Sequence, residues 1–255
     1  MRASMIVPTL NEAGSITTVL RTFRAAAEEA NRTIFRDDPI QWELLVVDGA
    51  SADGTAAVAE AEGARVIVER RKGYGRAYRT GFAEASGEII ATSDGDATYP
   101  VEEIPTLVRR LIDERLDFLT GDRLAYVTRE AMTTEHRIGN WLLNFSFEIA
   151  YHRYVSGPTG TPIHDSQSGL WVFRRSILDR VVLTQDGMAL SEELKIEALT
   201  RGFRVFEVPI RYGERVGPPR LSSWRDGVRN EWFLLRKRFD LDREVRAAVR
   251  RRATR

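Results

Sequence analysis

Residues 87–100 read GEIIATSDGDATYP, and the change of character within these fourteen positions decides how the fold is read. GEIIAT is a short apolar run suited to a buried strand. SDGDATYP is rich in turn residues and sets Asp94 and Asp96 on either side of Gly95. Two carboxylates within a few ångströms raise each other's pKa and cost free energy unless a cation or hydrogen-bond donors lie between them. Asp and Gly are also common turn residues. Taken alone, the pair therefore reads as either a metal site or a solvated turn.

Outward from this stretch the same grammar repeats. SMIVP (4–8), ELLVVD (43–48), ARVIVE (64–69), GEIIATSD (87–94) and LDFLTG (116–121) are candidate strands. Each is followed by apolar residues at three- and four-residue spacing, the mark of an amphipathic helix. Such alternation predicts an α/β fold, a mostly parallel sheet with helices on both faces and right-handed crossovers. Ligands of these sheets gather beyond the carboxyl ends of the strands. Pro8, Thr9, Asn11 and Glu12 lie there after the first strand, Asp48 to Thr55 after the second, and Asp94 and Asp96 after the fourth.

The second half is less regular. Residues 123–155 carry a helical pattern in which Ile138, Trp141, Leu142, Phe145, Phe147 and Ile149 mix with Arg137, Asn140 and Asn144. Residues 156–168 form a loop containing GPTGTPIHDSQS. A strand around GLWVF, a helix from about Arg174, a helix capped at Ser191 and a strand FRVFEVPI follow. His136, His152 and His164 share no metal-ligand spacing and read as structural or loop histidines.

Composition bounds the possibilities. With 255 residues, 43% hydrophobic and 29% charged, the chain can bury one sizeable core. A formal net charge of +1 gives no global attraction for nucleic acid, and none is expected as a partner. The absence of cysteine excludes disulfides, thiolate metal sites and thiol nucleophiles and suits a cytoplasmic setting. MRASMIVPTLNE is too short in its apolar part for a signal peptide, and no window has the length of uninterrupted apolar sequence that a spanning helix needs.

ELLVVDGASADGT (43–55) sharpens the reading: a strand ending in Asp48 offers a carboxylate acceptor for a nucleobase or ribose beside small residues that a ligand can approach, although a strand–turn–helix connection with Asp53 near the N-cap has the same look. The set PTLNE (8–12), VVDGASADGT (46–55) and DGD (94–96), in this order at strand ends, resembles the large inverting glycosyltransferase family 2 with the GT-A fold. KGYGRAYRTG (72–81), GDR (121–123), the neighbourhood of Arg137 to Asn140, DSQSG (165–169) and RVGPPRLSSW (215–224) resemble blocks of its polyprenyl-phosphate (dolichol-phosphate) mannosyl- and glucosyltransferase branch.

The resemblance implies an enzyme that moves a hexose from a nucleotide sugar to polyprenyl phosphate with Mg²⁺ or Mn²⁺. It implies donor contacts at Pro8, Asn11, Glu12, Asp48, Lys72 and Asp94, and metal ligation by Asp96 with Asp94. Arg215 falls near the leaving diphosphate. Arg123, Arg137 and Arg220 fall at acceptor-phosphate positions, with Arg220 where the branch commonly has Lys. Asp165 positions the donor sugar or Arg123. The branch often has Gln two residues beyond the second Asp, and here that residue is Thr98. KGYGRAYRTG has Tyr78 where a dinucleotide-binding loop would need its third Gly, so that reading is rejected.

A lipid phosphate is already anionic and needs orientation more than deprotonation, whereas a hydroxyl acceptor needs a general base. Asp165 is one candidate for that base, and Glu192 and Glu193 are the others, Glu193 foremost. Their alternative is a first-turn pair interacting with the helix dipole and Lys195. A catalytically silent nucleotide-sugar-binding scaffold is the third reading. The expected layout is a GT-A domain over 1–225, with a donor half (1–122) and an acceptor half (123–225), and a basic helical extension over 226–255. From Arg225 to the end the chain has eleven basic and five acidic residues. This extension and the 138–155 segment read as interfacial helices or as core and dimer helices; the first alternative places the protein peripherally on the cytoplasmic membrane face.

Overall fold

The structure is a computed structural model that describes residues 1–126, 142–151, 162–214, 227 and 229–241. Arg137, Arg215, Arg220, His136 and His152 lie outside the described residues. Among the described residues, seven strands, β1 (Arg2–Thr9), β2 (Gln41–Asp48), β3 (Arg65–Val68), β4 (Ile89–Thr92), β5 (Phe118–Asp122), β6 (Trp171–Arg174) and β7 (Val205–Pro209), form one sheet in the order β3-β2-β1-β4-β6-β5-β7. Every pairing is parallel except those of β6, which runs antiparallel between β4 and β5. All five strands expected in the first half form. The reversal of β6 has a functional consequence: its starting end lies beside the finishing ends of β4 and β5, so the DSQSG block before it reaches the same sheet edge as the acidic pair.

Alternation along the strands divides two cores. From β1, Met5 and Val7 join one cluster and Ile6 the other, as a two-residue period requires. The first face is covered by α1 (Ile16–Arg32), which buries Ile16, Val19, Leu20, Phe23, Ala27 and Ala30, and by α4 (Ile104–Asp113), with Pro105 in its first turn. α3 (Tyr74–Glu84) covers the second face so closely that a Cβ on Gly81 would lie 2.6 Å from Ile6 Cγ2. α2 (Thr55–Ala61) follows β2, with Gly54 rather than Asp53 as its N-cap residue.

α5 (142–151), α6 (Leu190–Thr200) and α7 (229–241) complete the second face. Leu143, Phe147, Tyr151, Leu194 and Leu234 belong to its core. Two expectations are corrected here. The helix from Arg174 is a short 3₁₀ helix, Arg175–Asp179. Ser191 does not cap α6, which begins a residue earlier; its hydroxyl is buried with no hydrogen-bond partner among the described residues.

Candidate active site

Two loops interlock beyond β1 and β2. Asp48 closes β2 opposite Thr9 of β1 and is buried. Its Oδ1 accepts from Thr9 Oγ1 (3.0 Å) and Ser51 Oγ (2.5 Å), and its Oδ2 from the Ser51 N–H (2.8 Å). Asn11 donates its N–H to Ser51 Oγ at 2.7 Å and accepts from the Ala52 N–H at 2.7 Å. The Glu12 N–H donates to Thr55 Oγ1 at 2.8 Å. PTLNE and DGASADGT thus form one scaffold, with Pro8 half-buried on β1 and Lys72 exposed just before α3.

The loop after β4 joins them. Ser15 Oγ donates to the Gly95 carbonyl at 2.7 Å, and a Cβ on Gly95 would meet Thr9 Cγ2 at 2.9 Å. Asn11, Ala50 and Ala97 have φ of 50°, 59° and 63°. Left-handed backbone is uncommon outside glycine and tends to collect at functional sites. Here one such residue sits in each of three loops at the ends of adjacent strands.

The acidic pair is held by hydroxyls. Asp94 Oδ1 accepts from Tyr74 OH (3.0 Å) and Tyr78 OH (3.3 Å). Burial, then the charge of Asp94, push both phenols well above their ordinary pKa, so both remain donors. Asp96 is buried, and its Oδ1 accepts from the Thr98 N–H (3.1 Å) and Thr98 Oγ1 (2.6 Å). Thr98 thus orients Asp96 by donating to it. Two carboxylates fixed from behind at the sheet edge are a hard oxygen set of the kind that Mg²⁺ or Mn²⁺ takes alongside phosphate oxygens and water.

The GDR and DSQSG blocks meet on the other side. Arg123 donates from Nε and Nη2 to Asp165 Oδ2 and Oδ1 at 2.7 and 2.8 Å, and its N–H to Oδ2 at 3.0 Å. Burial pushes the Asp165 carboxyl up, but the guanidinium overrides this and holds it below the usual range. The buried Lys195 ammonium donates to the carbonyls of Asp165 (2.6 Å) and Ser168 (3.3 Å), and burial lowers its pKa to about 8 against the pull of Asp165. Tyr99 links the two sides. Its OH accepts from the Gly169 N–H at 2.7 Å, and its ring packs edge-on against Tyr212, over which the Arg123 guanidinium lies 5.4 Å from the centroid. Gly169 itself is pressed so close that a Cβ there would fall 2.3 Å from Tyr74 OH and 3.5 Å from Asp94 Oδ1.

All three candidate bases are engaged: Asp165 by Arg123, and the two glutamates elsewhere. Glu193 accepts from the Thr184 N–H and Oγ1 (both 2.7 Å) and the Gln185 N–H (2.9 Å). Glu192 is fully buried; its Oε1 accepts from Gln167 Nε2, and its Oε2 has no hydrogen-bond partner among the described residues. Burial, then the charge of Glu231, push its carboxyl well above the usual range.

Reading the sequence missed the tyrosines. Tyr74 and Tyr78 stand four apart in KGYGRAYRTG, which places both on one helix face. It also missed a second group: Asp122, His164 and Glu207 each bring a possible ligand atom within 4.8 Å of the others. His164 Nδ1 lies 3.0 Å from Glu207 Oε2, which also accepts from the His164 N–H at 2.7 Å. Histidine spacing could not show this, because the carboxylates come from β5 and β7.

A mostly parallel sheet whose carboxyl edge gathers Asp48, an oriented acidic pair and a buried Arg–Asp pair has the architecture of a GT-A glycosyltransferase. Residues 4–182 match the family model Glycosyl transferase family 2, and the chain belongs to that family. It is 33% identical over 234 residues to the low-salt glycan biosynthesis hexosyltransferase Agl6 of Haloferax volcanii, covering 91% of this chain and 52% of that protein. The chain therefore spans about half the length of this relative. It is 35% identical over 186 residues to the dolichyl-phosphate hexose transferase of Haloferax volcanii, covering 73% of this chain and 76% of the relative. The crystal structure of glucosyl-3-phosphoglycerate synthase from Mycobacterium tuberculosis in complex with Mn²⁺, UDP and glucosyl-3-phosphoglycerate shares the fold, with a TM-score of 0.67 and 22% identity over 93% of this chain and 79% of that one.

Proposed function

We propose that this protein moves a hexose, with inversion, from a nucleotide sugar of the GDP-mannose or UDP-glucose type to a polyprenyl phosphate, working peripherally at the cytoplasmic face of a membrane. The observation that carries the choice of acceptor is the state of the acidic residues that a hydroxyl acceptor would need. Glu193 is fully buried and takes three hydrogen bonds from residues 184–185, Glu192 is buried against Gln167, and Asp165 is paired with Arg123. A hydroxyl nucleophile requires a base within hydrogen-bond reach, whereas a phosphate oxygen carries its charge already. The similarity to the dolichyl-phosphate hexose transferase supports the same acceptor class.

In this reading the first half of the chain holds the donor. Asp48 accepts from the nucleoside, within a wall made by Pro8, Asn11 and Glu12, while Lys72 attracts the diphosphate. Asp96, with Asp94, would hold Mg²⁺ or Mn²⁺, which when bound offsets the charge developing on the leaving diphosphate. Arg215 adds fixed positive charge there. Asp165 locks Arg123 through Nε and Nη2, so the guanidinium keeps its remaining N–H groups in a set direction toward the acceptor phosphate. Arg137 and Arg220 join it. Tyr99 and Gly169 fix the spacing between the donor and acceptor sides.

The test is direct. Purified protein with Mn²⁺, a panel of labelled nucleotide sugars and a short-chain polyprenyl phosphate should give one lipid-linked sugar phosphodiester, identified by mass spectrometry, and Asp96→Asn should give none. Transfer only to hydroxyl acceptors, or none with any donor, would overturn the proposal.

A further inference from the structure

α5 and α7 pack on each other with their inner faces in the core: Ser146 Oγ donates to Glu231 Oε1 at 3.0 Å, and Tyr151 OH to the Leu234 carbonyl at 3.0 Å. Their outer faces have the opposite character. On α5, Leu142 and Ile149, seven apart and so on one face, are exposed, Ile149 by 64%. On α7, Arg229, Trp232, Arg236 and Phe239 recur at three- and four-residue spacing and are all exposed, with Trp232 and Phe239 each 69% accessible. This face borders a groove of about 720 Å³ that is also lined by residues 184–189. Large apolar groups interleaved with arginines on one helix face suit a lipid interface: rings enter the acyl boundary while guanidinium groups stay at the anionic headgroups. The chain beyond this helix has the same sign, with Arg243, Arg246, Arg250, Arg251, Arg252 and Arg255 against Asp242 and Glu244. Among the described residues no helix is long and apolar enough to cross a membrane.

The inner faces of the same helices reach the candidate site. Asn144 of α5 accepts from the Ser166 N–H (2.8 Å) and Oγ (2.6 Å). Asn230 of α7 donates to Gln167 Oε1 at 3.0 Å. Ser166 and Gln167 directly follow Asp165, the carboxylate that locks Arg123.

We infer that the outer face of α7, continued by Leu142 and Ile149 of α5, docks on an anionic lipid bilayer, and that Asn144 and Asn230 make the docked helices and the Asp165 loop one rigid unit. The inference deepens the lipid-acceptor reading by naming the surface and its link to the site. It fixes the direction from which an acceptor phosphate meets Arg123.

The experiment needs neither donor nor acceptor, so its failure is distinct from that of the proposed reaction. The full chain is sedimented with vesicles of phosphatidylglycerol and phosphatidylcholine mixed, and of phosphatidylcholine alone. Binding to the anionic vesicles is expected. Arg229→Gln with Arg236→Gln should weaken it by roughly tenfold or more, at about one basic residue's attraction each, and Trp232→Ser with Phe239→Ser should abolish it while circular dichroism stays unchanged. Hydrogen exchange of the 166–169 amides should slow on vesicle binding in the wild type and not in Asn144→Ala with Asn230→Ala. No vesicle binding, or binding indifferent to both surface variants, overturns the surface. Self-association without vesicle binding, dispersed by Trp232→Ser with Phe239→Ser, assigns the face to a second copy instead. Unchanged exchange in the wild type overturns the link.

Discussion

At the scale of single residues, the tension between Asp94 and Asp96 is relieved by partners that come from other parts of the chain. Asp94 takes two phenol donors from α3, and Asp96 takes a main-chain and a hydroxyl donor from Thr98. Asp96→Asn should therefore fold normally and lose nearly all turnover, because it weakens neutralisation of the leaving diphosphate, a contribution of several kcal/mol to the barrier. Wild-type rates restored by excess Mn²⁺ would reassign the ligand. Thr98→Val should leave the maximal rate nearly intact and raise the Mn²⁺ concentration needed for half-maximal activity, as Asp96 loses one orienting bond. Glu192 offers a test in pH. Its folded pKa lies well above the ordinary carboxylate value, because of burial and then Glu231. The protonated carboxyl thus contributes stability that is fully present below about pH 4.5 and is lost as pH rises through the folded pKa. Glu192→Gln removes that titration and keeps an acceptor for Gln167. Denaturant midpoints at pH 5.5, 7 and 8.5 should shift progressively in favour of the variant, and turnover should persist if no base is needed.

At the scale of elements, local chemistry was legible and long-range pairing was not. The five strands of the first half follow from apolar runs ending in turn residues, and the motifs at their carboxyl ends fall where the sheet rule puts ligands. β6 was legible as a strand, but its antiparallel insertion between β4 and β5 depends on pairings across the chain. α6 shows the same limit. LSEELKIEALT looks like a half-solvated helix, yet residues 190–199 are all buried. Most of its charges find partners outside the helix: Glu193 in residues 184–185, Lys195 in the carbonyls of Asp165 and Ser168, and Glu197 in Lys237 at 2.6 Å as well as in Arg201 one turn on, also at 2.6 Å. The loop before β6 carries the prediction at this scale. Gly169 leaves no room for a Cβ beside Tyr74 OH. Gly169→Ala should displace Tyr74 from Asp94 or push the loop outward, lowering turnover far more than it lowers the thermal midpoint. Equal activity at equal stability would show that the Tyr74–Asp94 bond is dispensable.

At the scale of the whole molecule, the parallel block β3-β2-β1-β4 carries the loops proposed to hold the donor, and β6, β5 and β7 bring the Arg123–Asp165 pair to the same edge. The motifs for both were visible in the sequence, but the pairing of Arg123 with a carboxylate 42 residues away was one of three roles open to Asp165. That pairing decides how the acceptor side must be tested. Arg123→Ala alone would strand a fully buried carboxylate, at a cost of about 3–5 kcal/mol for breaking such a pair, and lost activity would then report unfolding. Arg123→Gln with Asp165→Asn removes both charges and retains hydrogen-bonding groups, so the fold should survive. Binding of nucleoside diphosphate with Mn²⁺, read by calorimetry, should stay within about twofold, because the donor loops draw on the other block. The KM for polyprenyl phosphate should rise about 10- to 150-fold, the equivalent of one charge-assisted phosphate contact worth roughly 1.5–3 kcal/mol. An equal loss of donor affinity would mean that the pair serves the sugar or its diphosphate. An unchanged KM for the lipid would leave Arg123 a structural arginine, and the acceptor phosphate would then depend on Arg137 and Arg220 alone.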